Sequence, residues 1–196
     1  AGATSSVTIY GDTEDSSQTG NDTISSASTT GKVYGGGGDD SITGAGNLYG
    51  NQGNDTIFGN DSGATLYGGQ GNDYLYGSAA KFFGDLDNDT IVIQSGSYAD
   101  GGVGDDSIVA TALGSTSTST LLGGLGNDSI FGGAGNDSIS GGEGNDVIYG
   151  NDGTDTLTGG AGNDFFYFTT VTGGVWAAGS AGGTSYTVPA LNGTYI

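Results

Sequence analysis

Apolar residues recur singly along this chain, mostly followed by one more residue and then by glycine. One series runs Ile24, Ile42, Ile57, Leu75, Ile91, Ile108, Ile130, Ile148 and Phe166; a second, offset from it, runs Ile9, Val33, Leu48, Leu66, Phe82, Ala99, Leu121, Ile139 and Leu157. Their neighbours on either side alternate outward, as a strand requires, and the β-branched members suit short strands. The alternation predicts two rows of inward side chains facing each other across a core only two side chains wide. Burial on that scale is too thin to offset the ordering of so much glycine.

Between the strands lie glycine-rich turns ending in Asp-x-(Ile/Leu/Phe). Gly123-Gly-Leu-Gly-Asn-Asp128 and Gly141-Gly-Glu-Gly-Asn-Asp146 are two copies, and the last five turns follow one another every nine residues. In the first half complete turns end at Asp22, Asp40, Asp55, Asp73, Asp89 and Asp106, separated by 18, 15, 18, 16 and 17 residues. Degenerate half-coils fill the gaps, and residues 110–122 read as a half-coil lengthened by a Ser/Thr bulge over 114–120. The unit is therefore an 18-residue coil of turn, strand, turn, strand. About nine coils at roughly 4.8 Å make an all-β solenoid about 43 Å long.

Stacked in this register, one edge carries Asp22, Asp40, Asp55, Asp73, Asp89, Asp106, Asp128, Asp146 and Asp164, and the opposite edge only Asp137 and Asp155. Glycines in the turns permit positive φ and leave carbonyls uncovered, and each terminal aspartate sets a carboxylate beside them. Carbonyl and carboxylate oxygens converging between coils suit calcium, which takes six to eight hard oxygen ligands. Zinc and copper lack histidine or cysteine here, and magnesium holds its waters too firmly for an all-protein cage. The eleven aspartates are the expected metal ligands, for about nine calcium ions: eight gaps on the rich edge and one between Asp137 and Asp155. Asp61, Asp85, Asp87, Asp39 and Asp105 read as solvated turn acids, although Asp87 stands where a turn glycine is expected.

Composition sharpens this. The formal charge is −20, with 22 acids, two lysines, no arginine and no histidine. Lys32 and Lys81 cannot build a basic face, so nucleic acid and anionic membrane surfaces are not expected partners. No apolar run is long enough to span a bilayer. Cysteine is absent, so no disulfide staples the fold. Nine divalent ions would offset most of the charge that otherwise opposes folding. Ser-His and Cys-His chemistry is excluded, and no pair of carboxylates is singled out for glycoside hydrolysis, so the chain is not expected to be an enzyme. The absence of both an initiator methionine and a recognisable signal peptide is expected of a mature fragment or processed chain.

Over about residues 17–168 these turns resemble the RTX, or haemolysin-type, calcium-binding nonapeptide repeat, and 159–168 resembles the aromatic closing repeat common there. The resemblance implies a right-handed parallel β-roll over 1–168, with 169–196, which holds Trp176 and Pro189, as a cap or the start of a further domain. It implies secretion unfolded and folding outside the cell, where calcium is abundant. Ice-binding relatives carry threonine at the turn position that here reads Thr19, Gly37, Gln52, Gln70, Leu86, Val103, Leu125, Glu143 and Ala161; only Thr19 conforms. Outward aromatics form two rows: Tyr10, Tyr34, Tyr49, Tyr67 and Phe83, and Phe58, Tyr76, Phe131, Tyr149 and Tyr167. They read either as ladder stabilisation or as packing faces for copies of the same molecule. The expected function is a calcium-dependent extracellular structural module of a surface layer, filament or adhesin. The alternative is the C-terminal calcium-binding and secretion module of an RTX toxin or secreted hydrolase.

Overall fold

In a computed structural model the described residues are 7–12, 19–78, 81–94, 96–111, 117–167 and 185–188. In chain order the strands are β1 (Thr8–Tyr10), β2 (Thr23–Ser26), β3 (Lys32–Gly37), β4 (Ser41–Gly44), β5 (Asn47–Gln52) and β6 (Thr56–Gly59). Next come β7 (Thr65–Gln70), β8 (Tyr74–Gly77), β9 (Lys81–Leu86), β10 (Thr90–Ile93), β11 (Tyr98–Val103) and β12 (Ser107–Ala110). The last are β13 (Thr120–Leu125), β14 (Ser129–Phe131), β15 (Ser138–Glu143), β16 (Val147–Tyr149), β17 (Asp155–Ala161), β18 (Phe165–Tyr167) and β19 (Ser185–Val188).

Odd-numbered strands form one sheet, β1-β3-β5-β7-β9-β11-β13-β15-β17-β19, and even-numbered strands the other, β2 to β18. Every neighbouring pair is parallel except β17–β19, so the chain winds as a right-handed β-roll alternating between two facing sheets. Because each coil adds one strand to each sheet, register is set coil by coil. Ile24 pairs with Ile42, Ile42 with Ile57 and Ile57 with Leu75, and the row continues to Phe166. The facing row runs from Ile9 through Val33, Leu48, Leu66, Phe82, Ala99, Leu121 and Ile139 to Leu157. Both rows are buried, apart from half-buried Ile9 at the N-terminal end. The core is slightly fuller than two side chains per coil, because Ala45, Ala64, Ile93 and Ala110 are buried as well.

The outward aromatics fall into the expected rows and stack: Tyr34 on Tyr49 and Tyr49 on Tyr67 have ring centroids 4.7 Å apart, one strand spacing. The uneven spacing of the turns has a structural cause. From β3 onward the link between sheets on the aspartate-rich edge is always three residues, such as 38–40 between β3 and β4 or 162–164 between β17 and β18. All variation falls on the other edge, where two residues join β4 to β5 and nine join β12 to β13. Of the bulge at 114–120, residues 114–116 lie outside those described. Strand β19 closes one sheet antiparallel to β17; the remainder of the segment 169–196 also lies outside the described residues.

Candidate metal centre

The turn that ends at Asp40 shows how the edge is built. Gly36 and Gly38 hold φ of 118° and 109°, conformations that only glycine adopts without strain. Gly35 is needed for a different reason: a Cβ there would collide with Asp40 Oδ2 and lie 2.8 Å from the carbonyl oxygen of Gly50 in the next coil. The same cradle recurs at Gly50, Gly68, Gly84, Gly101, Gly123 and Gly141, each facing the Oδ2 of its own turn's aspartate and the following coil's glycine carbonyl. At these glycines and at Gly159, and nowhere else within the odd-numbered strands from β3 to β17, the parallel pairing skips a position.

The aspartates form one continuous ladder. The amide of Asp22 donates to Asp40 Oδ1 at 2.8 Å, that of Asp40 to Asp55 Oδ1 at 2.8 Å, and that of Asp55 to Asp73 Oδ1 at 2.7 Å. It continues through Asp89, Asp106, Asp128 and Asp146 to Asp164, where the last bond is 3.2 Å. On the opposite edge the amide of Ser119 donates to Asp137 Oδ1 at 2.7 Å and that of Asp137 to Asp155 Oδ1 at 2.9 Å. All eleven aspartates named from the sequence thus stand in one of two stacks.

From Asp40 to Asp155 each carboxylate of the two stacks has its Oδ1 satisfied and its Oδ2 stranded. Oδ2 is buried without a hydrogen-bond partner in Asp22, Asp40, Asp55, Asp73, Asp89, Asp106, Asp128, Asp137, Asp146 and Asp155. Buried polar atoms in folded proteins are almost always paired, so ten orphans of one kind in one geometry are a site awaiting a partner. Among the described residues no three acidic side chains converge, and the oxygen that shares each cradle with an aspartate Oδ2 is a glycine carbonyl. Gly35 O accepts the amide of Asp12 at 3.2 Å and, like any carbonyl, keeps a second lone pair. The set is all oxygen and hard, and it fits calcium.

Without a cation these carboxylates resist ionisation. Desolvation pushes Asp55, Asp73 and Asp128 up to about 7, Asp89 to about 8, and Asp106 and Asp155 to about 6. The amide each accepts works in the opposite direction, and neighbouring aspartates add to the rise. Burial also raises Asp40, Asp137 and Asp146.

A second ladder, outside the first, went unassigned in the sequence. The residue before each aspartate accepts the next coil's amide: Asn21 Oδ1 from Asp39, Asp39 Oδ1 from Asn54, Asn54 Oδ1 from Asn72 and Asn72 Oδ1 from Asn88. Asn88, Asp105, Asn127 and Asn145 continue it. The inner bonds run from one coil's amide to the next coil's side chain and the outer bonds run the reverse way, so adjacent turns are stitched in both directions. Asp39 and Asp105, read as solvated acids, serve here in place of asparagine. Asp87 accepts the amide of Gly71 at 3.0 Å, and Asp85 and Asp87 occupy glycine-like φ of 79° and 73°. Asp61 accepts the amide of Gly63 at 2.9 Å within its own turn. The recurring Asn in the turn motif was the available signal.

Upstream of Ser119 the second edge places Gly31, Gly46, Ala64 and Ser97 at the aspartate's position, all buried. A small residue fills the slot where no carboxylate projects.

A parallel roll of this kind belongs to the class of β-solenoids, here with an edge of regularly spaced carboxylate and carbonyl oxygens that fits a hard cation. Four copies of the RTX calcium-binding nonapeptide repeat match residues 32–47, 49–80, 113–148 and 132–166, just over half of the chain. The chain belongs to the RTX calcium-binding repeat family and is a calcium-binding module. The matches omit 81–112, where Asp85 and Asp87 replace turn glycines, yet Asp89 and Asp106 keep their places in the ladder. Comparison with curated proteins and with solved structures returns no match.

Proposed function

We propose that this chain is a calcium-dependent extracellular structural module, disordered without calcium and folding when the ion binds, in a surface-layer, filament or adhesin protein. The observation that carries it is the set of ten buried, unpartnered Oδ2 atoms. In each gap the Oδ2 of one coil's aspartate and the first-glycine carbonyl of the next would hold the ion. Eight gaps along the first edge run from Asp22 to Asp164, and one lies between Asp137 and Asp155, for about nine ions. Calcium supplies the positive charge that lets these carboxylates stay ionised while buried; the glycine cradles and the two ladders fix where they point.

The size of the effect supports folding on binding. At ten times its dissociation constant one site stabilises the fold by about 1.4 kcal/mol. Nine such sites rival the whole stability of an ordinary domain, about 5–15 kcal/mol. RTX repeat proteins are typically secreted, and among the described residues no helix is long and apolar enough to cross a membrane. A chain without histidine or cysteine, whose buried carboxylates are committed to the two stacks, suits scaffolding better than catalysis. Far-ultraviolet circular dichroism tests the reading: β-signal should appear on adding calcium to demetallated protein, and a full signal retained in chelator would defeat it.

A further inference from the structure

The charges of this molecule are distributed very unevenly over its surface. None of the nine even-numbered strands contains a charged residue. The odd-numbered sheet, by contrast, turns Lys32, Lys81 and Asp100 outward. In a chain of formal charge −20 the even sheet is a broad face that a like molecule can approach without meeting a carboxylate. Its outward row is apolar without a break over seven strands: Phe58, Tyr76, Val92, Val109, Phe131, Tyr149 and Tyr167. Phe58 stacks on Tyr76 at 4.7 Å and Phe131 on Tyr149 at 4.4 Å, which flattens the stripe into a ridge.

We infer that this face binds a second copy of the chain, rods antiparallel, with the two-fold axis at Val109. The row is self-complementary under that operation. Val109 meets its own counterpart, Val92 meets Phe131, Tyr76 meets Tyr149 and Phe58 meets Tyr167, so bulky residues at the ends pair with bulky residues and the slim centre pairs with itself. An isologous contact of this kind closes on two molecules. The face is about 38 Å long and about 10 Å wide from strand and residue spacings, roughly 400 Å² on each copy. That lies below the size of a permanent interface, so the contact is weak and concentration-dependent, as between members of a dense array. The inference rests on the calcium-folded roll proposed above, since the row exists only when the coils are stacked.

Sedimentation over a concentration series in calcium tests it. Wild type should pass from monomer to dimer, Val109→Lys should remain monomeric with an unchanged calcium-induced dichroism signal, and Tyr49→Lys on the other sheet should still dimerise. Val92→Lys is a second disrupting variant should the first fold poorly. The chain lacks cysteine, so a nitroxide on Thr23→Cys reports on orientation. Two labels should lie about 48 Å apart in the antiparallel pair, ten strand spacings, and within about 15 Å in a parallel one. A folded wild type that stays monomeric, a Val109→Lys protein that still dimerises, or the short label distance overturns the dimer. A wild type that gains no β-signal in calcium overturns the folding proposal and the dimer with it.

Discussion

At the scale of the residue, each gap depends on a glycine that is absent as much as on an aspartate that is present. Gly68 illustrates this: a Cβ would run into Asp73 Oδ2 and sit 2.7 Å from Gly84 O, with backbone on one side and the carboxylate on the other. Gly68→Ala should therefore cost about 1–3 kcal/mol, the usual penalty of overpacking, and weaken one calcium site. Gly63→Ala is the matched control, since its Cβ would approach nothing closer than Asp61 Oδ1 at 3.6 Å. Thermal denaturation in calcium should show a clear drop for the first variant and almost none for the second. The aspartates give a prediction of opposite sign to ordinary acid denaturation. Their folded-state ionisation is raised, to about 7 in Asp55, Asp73 and Asp128 and about 8 in Asp89, well above the ordinary carboxylate range. Between those values the folded form binds more protons than the unfolded one, so stability falls as pH rises. Demetallated protein should thus gain β-signal as pH is lowered from about 8 toward 5, while the calcium concentration needed for folding rises. A metal-free signal that falls steadily over the same range would contradict the burial of these groups.

At the scale of the element, the contrast between the two edges is one of tolerance. The three-residue links on the aspartate-rich edge must hold both ladders in register, whereas the other edge already accommodates links of two to nine residues. Two glycines inserted beside Ser62, between β6 and β7, should cost about 0.5 kcal/mol in loop closure and leave calcium binding intact. The same insertion after Gly71 displaces Asn72 and Asp73 from their partners Asn54 and Asp55 and should abolish at least one site. Calcium titration followed by dichroism distinguishes the two. This asymmetry also explains what could be read from the sequence. Both inward rows were legible, because a lone apolar residue set at a fixed distance from each turn has one way to face inward. The aspartate stacks were legible because their turn has constant length. The asparagine ladder was not, since a polar residue in a turn is ordinarily solvated and only stacking reveals its partner. Nor was the burial of Gly31, Gly46, Ala64 and Ser97, where small residues leave no periodic mark.

At the scale of the whole molecule, a roll is a one-dimensional stack in which each coil is supported only by its neighbours, so loss of ions should propagate from the ends. The two ends differ. Asp22 at the N-terminal end is only half-buried and Ile9 is incompletely covered, while at the other end β19 lies against β17. Calcium withdrawal should therefore open the N-terminal coils first. The chain contains an internal clock for this in its two lysines: Lys32 lies in the second strand of its sheet, Lys81 in the fifth. Both are in paired strands, and a protease must unpair several residues before it can cut. Under limiting trypsin, a stepwise drop in free calcium should allow cleavage after Lys32 at a higher calcium concentration than cleavage after Lys81, with mass spectrometry identifying the fragments in that order. Simultaneous appearance of both cuts would mean that the coils open as one cooperative unit, with coupling between gaps stronger than nearest-neighbour stacking supplies. The order of two peptide bonds thus measures how far one ion's departure is felt along the rod.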